Sequence, residues 1–235
     1  MTTSRDRMLA RIRAGLAHTR PFLEAESAGA PHTPPPFVHP AETDDLAQQF
    51  AAELAKLQAH PHLCADEESA LDVIQRILEQ HGAREVIAWD LEQVGLPGLR
   101  ELLAARGTAV HDAALGDGAA QRAARLQALE PAPVCISGVE ALIAESATIV
   151  LRAGPGRPRL ASLLAPAYVA VARREQIARG LGEALGRIRE RHGAAVFADA
   201  SALTFVTGPS RTADIELTLT LGVHGPRDVY VVVIG

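Results

Sequence analysis

Val229-Tyr230-Val231-Val232-Val233-Ile234 is an apolar run broken only by one phenol. A strand with one wet face alternates apolar and polar residues, so an unbroken run of this length asks for cover on both faces. Tyr168-Val169-Ala170-Val171-Ala172 makes the same demand. Both are too short for a buried helix and rich in β-branched residues, which predicts interior strands of a parallel sheet flanked by helices.

Working outward, further strands are predicted at His62–Ala65, Glu85–Trp89, Thr108–His111, Val134–Ser137, Thr148–Arg152 and Ala202–Thr207. Helical patterns alternate with them. Thr43 is placed to cap a helix carrying Leu46, Phe50, Leu54 and Leu57 on one face. Asp66 opens a second, with Leu71, Ile74, Ile77 and Leu78 facing inward and Gly82 as its stop. Others are expected over Pro97–Arg106, Gln121–Glu130, Val139–Glu145 and Arg174–Arg191. The predicted fold class is α/β, a mostly parallel doubly wound sheet.

The first 40 residues read differently. Residues 4–18 form an amphipathic pattern with Met8, Ile12 and Leu16 in one stripe and Arg5, Arg7, Arg11 and Arg13 off it. Pro21 to Pro40 is a proline-rich arm, so the division expected is 1–40 as helix and arm and 41–235 as the α/β domain. The stripe either packs on its own domain or docks on another subunit.

Composition removes several classes of function. The net charge of −5 with a single lysine, Lys56, offers no field for nucleic acid. No run reaches the length of a membrane span, and the first twenty residues lack the apolar core of a signal peptide, so a soluble, cytoplasmic protein without membrane insertion is expected. Two cysteines, Cys64 and Cys135, cannot supply a four-thiolate iron–sulfur cluster. His60-Pro61-His62-Leu63-Cys64 alternates metal-capable side chains, but no second cluster completes a zinc site; no metal and no cofactor are expected.

Chemistry is concentrated late in the chain. Thr207-Gly208-Pro209-Ser210-Arg211-Thr212-Ala213-Asp214-Ile215-Glu216 follows a strand and reads as a glycine–proline turn opening a helix with Ile215 and Leu219. Free N–H groups there, with Ser210, Arg211 and Thr212, would hold a small anion; otherwise the segment is a well-capped helix start with Asp214 serving the dipole. The stretch from Gly138 to Thr148 carries Glu145 just before a strand, either as a reactive carboxylate or as a cap. His224 and Gly225 sit in a turn after the last helix. Gly154-Pro155-Gly156-Arg157-Pro158-Arg159 reads as a mobile hairpin or lid.

The run Thr207–Glu216, followed by Leu221-Gly222-Val223-His224-Gly225-Pro226-Arg227, resembles the signature of the lactate utilization protein C family of LUD-domain proteins. Ala141-Leu142-Ile143-Ala144-Glu145-Ser146-Ala147-Thr148 is similar to that family's Ala-Ile-Ala-Glu-Thr-Gly-Thr stretch, with Ser146 and Ala147 in place of Thr-Gly. The resemblance implies a fold like the CoA-transferase and ribose-5-phosphate isomerase superfamily. It implies an accessory role in oxidising L-lactate to pyruvate beside two iron–sulfur partner subunits, with a small anionic ligand and a homo-oligomer both left open. The alternative is an enzyme acting on an acyl-CoA or a phosphorylated small molecule, with Glu145 as nucleophile or base. The expected ligand-side residues are Gly138, Thr148, Gly208, Pro209, Ser210, Arg211, Thr212, Asp214, His224 and Gly225.

Overall fold

The computed structural model describes residues 4–27, 44–115, 118–193, 196–212 and 220–235. The chain divides into two compact units, Met1–Phe37 and Val38–Gly235. In the first, α1 (Ser4–Ser27) runs past Pro21, longer than the residues 4–18 expected. The proline cluster at 31–36 lies outside the described residues, as does Thr43.

The second unit is built on six strands: β1 (His60–Cys64), β2 (Glu85–Ala88), β3 (Ala109–Asp112), β4 (Val134–Gly138), β7 (Ala167–Arg173) and β12 (Asp228–Ile234). They lie in the order β1-β12-β7-β4-β2-β3. All five pairings are parallel. From Val229 to Ile234 every residue is buried, on both alternating faces, as the apolar run requires. The central strands β4, β7 and β12 carry the core.

Local signals explain the helices. In α2 (Leu46–Lys56) the cap is Asp45, not Thr43: its carboxylate accepts from the Ala47 and Gln48 N–H groups, and Ala47, Phe50 and Leu54 face inward. Asp66 and Ser69 form a reciprocal capping box on α3 (Glu67–Gln80). That helix buries Ala70, Val73, Ile74, Ile77 and Leu78 and stops before Gly82, whose φ is +59°. The short α4 (Leu91–Val94) and α5 (Leu99–Ala105) connect β2 to β3, and α6 (Ala119–Leu129) connects β3 to β4.

A second sheet grows out of the connections around β7. Its order is β8-β5-β6-β9, from β5 (Ala141–Ile143), β6 (Thr148–Ala153), β8 (Ile177–Ala178) and β9 (Ala202–Val206). β5 and β9 both pair antiparallel with β6. Ala141, Ile143 and Val150 form a small core with Ala178, Ala184 and Ile188, the last two on α7 (Leu181–His192). The alternate residues Leu142, Ile149 and Leu151 join the main core.

This sheet corrects two expectations. Val139–Glu145 is not a helix but strand β5 and a 3-10 turn, Ala144–Ser146, because its apolar residues have a buried surface on either side. The helix expected over Arg174–Arg191 begins only at Leu181. Gln176 interrupts it: its Oε1 accepts from the Arg173 N–H at 2.8 Å and its Nε2 donates to the Val139 carbonyl at 2.7 Å, tying this stretch to the end of β4. Among the described residues no helix is long and apolar enough to cross a membrane.

Candidate functional site

The two late motifs meet. The helix expected to open after Pro209 is replaced at its start by a strand: β10 (Arg211–Thr212) pairs antiparallel with β11 (Thr220–Leu221). The ladder takes up N–H groups that the anion reading left free. Asp214, Ile215 and Leu219 lie outside the described residues. Ser210 is the hub: its N–H donates to the Pro226 carbonyl at 2.9 Å and its carbonyl accepts from Gly222 at 2.9 Å. Its hydroxyl accepts from the His224 N–H at 3.3 Å. Gly225 packs on Ser210, where a Cβ would stand 3.4 Å from that of the serine.

Gly208 and Pro209 are buried beneath this hub. Gly208 has φ +76°, and a Cβ would stand 3.1 Å from Leu57 Cβ, so both conformation and space call for glycine. Arg211 is exposed and donates to the Leu57 carbonyl at the end of α2. Thr212 is half-buried and His224 exposed.

Thr148 joins this region to the Glu145 turn. Its hydroxyl lies 2.7 Å from that of Thr207 and 2.8 Å from that of Ser146. Glu145 itself faces elsewhere. Its Oε1 accepts from the Leu181 N–H at 2.9 Å, so the carboxylate caps the start of α7. A Cβ on Gly180 would fall 2.8 Å from its Oε2, which explains a glycine there. Oε2 is buried and has no partner among the described residues. Gly138 serves packing: a Cβ would stand 2.7 Å from the Gln93 carbonyl oxygen.

Both cysteines are buried free thiols. Burial pushes Cys135 up to about 11 and Cys64 upward as well, which disfavours the thiolate that nucleophilic or metal chemistry needs. Among the described residues no group of three or more His, Cys, Asp or Glu side chains is placed to hold a metal ion.

A cavity of about 680 Å³ opens at the carboxyl ends of β2 and β3. Trp89, Asp90 and Asp112 line its sheet side, Arg100 and Ala104 of α5 one wall, and the Gly154–Pro158 turn its cover. That turn is no loose lid. Gly154 and Arg157 exchange backbone hydrogen bonds at 3.1 and 2.9 Å, and the Asp90 N–H donates to the Gly156 carbonyl at 2.7 Å. Arg152, 2% exposed, bonds Asp199 and the Val196 carbonyl, and Arg157 reaches Asp199 at 3.5 Å. These arginines hold the Asp199 carboxyl below its ordinary range, Arg152 chiefly by its hydrogen bond. The sequence signal for this cavity was an acid closing two neighbouring strands, Asp90 and Asp112. It is a weak one, because surface acids at strand ends are common.

Fold and site together define a parallel α/β domain with a mixed side sheet and a preformed crevice at its carboxyl edge. The LUD domain family model matches residues 47–234, and the chain belongs to that family. A lactate utilization protein C from Halalkalibacterium halodurans is 34% identical over 163 residues, 68% of this chain and 67% of its own length. One from Macrococcus caseolyticus is 33% identical over 167 residues, 69% of this chain and 67% of that protein. A crystal structure of a DUF162 family protein from Deinococcus radiodurans superposes with a TM-score of 0.53 at 25% identity, covering 81% of this chain and 96% of the other.

Proposed function

We propose that this chain serves bacterial lactate utilisation as an accessory subunit in the oxidation of L-lactate to pyruvate, in the cytoplasm, beside iron–sulfur partner subunits. The observation that carries the reading is its relationship to proteins named lactate utilization protein C across the matched domain. The chemistry of the chain is consistent with it. Two buried thiols with raised proton affinity leave electron transfer to clusters on other subunits. The Gly208–Thr212 turn, with Arg211 at its exposed end, is the part we assign to a small anion or to partner contact.

Reconstitution tests this. Adding the purified chain to the two iron–sulfur partners raises the rate of lactate-dependent dye reduction or the stability of the assembly. Partners that reach the full rate alone, with neither quantity changed by the chain, overturn the proposal.

A second reading makes Glu145 the nucleophile or base of an enzyme acting on an acyl-CoA or phosphorylated substrate. The unpartnered Oε2 favours it; the bond from Oε1 to Leu181 favours a structural cap. Turnover of such a substrate that is lost in Glu145→Gln, with the unfolding temperature unchanged, would decide for the enzyme.

A further inference from the structure

The connections leaving β2 and β4, which are neighbours, run in opposite directions. β2 leads through α4 and α5 outward to β3, whereas β4 leads through β5, β6 and the Gly154–Pro158 turn to β7 on its other side. In parallel α/β sheets such a divergence opens a crevice outside the carboxyl ends of the strands, and ligands bind there. The 680 Å³ cavity lies beside this point, at the carboxyl ends of β2 and β3, between the two diverging connections: Asp90 and α5 on one side and the turn after β6 on the other. We propose that this crevice binds a nucleotide, its ribose hydroxyls on Asp90 and Asp112 and its phosphates toward Arg100.

The argument begins with size. Pockets for drug-sized ligands run from roughly 300 to 1,000 Å³. The cavity is in that range and far too large for a three-carbon hydroxy acid to fill. The space exists because small residues line it: Ala88 on β2, Ala104 on α5 and the two glycines of the turn. Val110 and Leu103 supply apolar surface for a flat ring.

Polarity then orders the ligand. Ala88 and Asp112 are register partners, so Asp112 and Asp90 stand close together at the edge of adjacent strands. Asp90 accepts from the Glu92 N–H through Oδ1, and Asp112 from the Ala114 N–H through Oδ1. Each keeps its other oxygen for a ligand donor, and vicinal hydroxyls match two such acceptors. Thr108, 7% exposed, stands in the same wall, and its Oγ1 has no partner among the described residues.

Arg100 supplies a cation to the same lining. The Arg100 guanidinium is exposed and forms a loose ion pair with the Glu92 carboxylate at 4.0 Å, beyond hydrogen-bond length, for which a phosphate can compete. A second cavity of about 570 Å³ shares Leu91 and Arg100 with the first and continues past Glu92 and Glu101 to Arg173, which is ion-paired with Glu67. Two hydroxyl acceptors and one arginine in the same lining fit a nucleoside phosphate better than a free sugar or a bare anion. The crevice uses none of the residues of the Gly208–Thr212 turn, and the proposal stands apart from the lactate reading.

Trp89 is the only tryptophan of the chain, and it lines the cavity. Its fluorescence therefore reports on this site. The full chain is titrated with ADP, adenosine, inorganic phosphate and L-lactate, with calorimetry in parallel. ADP is expected to bind at least about tenfold more tightly than adenosine, the weight of a charged contact. Arg100→Ala should bring ADP down to the adenosine level while sparing adenosine, and Asp112→Asn should weaken both. Ala104→Phe, which fills the cavity from an exposed helix position, should abolish both at an unchanged unfolding temperature. No binding of ADP or adenosine at millimolar concentration overturns the proposal. So does phosphate or lactate binding as tightly as ADP, or ADP binding that survives Ala104→Phe. None of these outcomes bears on the reconstitution test, whose failure would leave the crevice standing.

Discussion

At position 145 a carboxylate closes the first turn of α7 through its Oε1. Losing a helix cap costs about 0.5–2 kcal/mol. Glu145→Ala should therefore lower stability by about 1–2 kcal/mol in urea unfolding, and Glu145→Gln, which keeps an oxygen for Leu181, by clearly less. Equal losses for both would show that charge, not the hydrogen bond, matters. Two residues on, Ala147 sits at φ +50°, a left-handed conformation that side chains pay for. It stands where the family resemblance has glycine, and its methyl is fully buried. Ala147→Gly relieves backbone strain but loses a packed methyl, so the net change should stay within about 1 kcal/mol. Ala147→Val adds a β-branch and extra volume to the same strain and should cost about 2–4 kcal/mol, readable as a lowered midpoint. Neither role was legible from spacing. A glutamate before a strand looks the same in sequence whether it caps or reacts.

Elements of seven to fourteen residues are legible because they are long enough to show their burial pattern, and a strand of three is not. β12 and β7 announced themselves because both faces are covered; α3 did so because its capping box and its Gly82 stop agree. β5 was mistaken for a helix turn, since three apolar residues carry no period of their own. The helix start expected after Pro209 is a strand over Arg211–Thr212 for another reason: the turn chemistry suits a helix start, but these two residues pair with β11. β1 carries a pH response. His60 stacks on Tyr230 with ring centres 4.7 Å apart, His62 lies 6.2 Å away, and His81 bonds the Tyr230 hydroxyl at 3.0 Å. Burial first, then His60 and Arg76, lower the proton affinity of His62 below its ordinary 6.5. Above that pH the ring is neutral in both states and costs nothing. Below it the unfolded chain takes the proton more readily, so stability falls as pH drops from 6.5 through the folded-state value. His62→Gln should flatten part of that decline in thermal melts between pH 7 and pH 5; an unchanged slope would remove His62 from the account.

For the molecule as a whole, the class of fold followed from two strands and the family resemblance from two short motifs. The second sheet did not follow from either, because its strands are short and borrow their cover from the main core and α7. The crevice was hidden for a related reason: Asp90, Arg100 and Asp112 share no motif, and Gly156, distant in sequence, reaches the same edge only through the fold. That same order has a kinetic side. β12 is wedged between β1 and β7, so His60 finds its register partner only at Tyr230. On a ribosome, β1 emerges early and must wait, its backbone amides unmatched, until nearly the whole unit has been synthesised. Pairings so distant close slowly and leave strand edges open to other chains meanwhile. A chaperone that shields β1 should raise the yield of folded protein, and slower elongation, which lengthens the wait, should lower it.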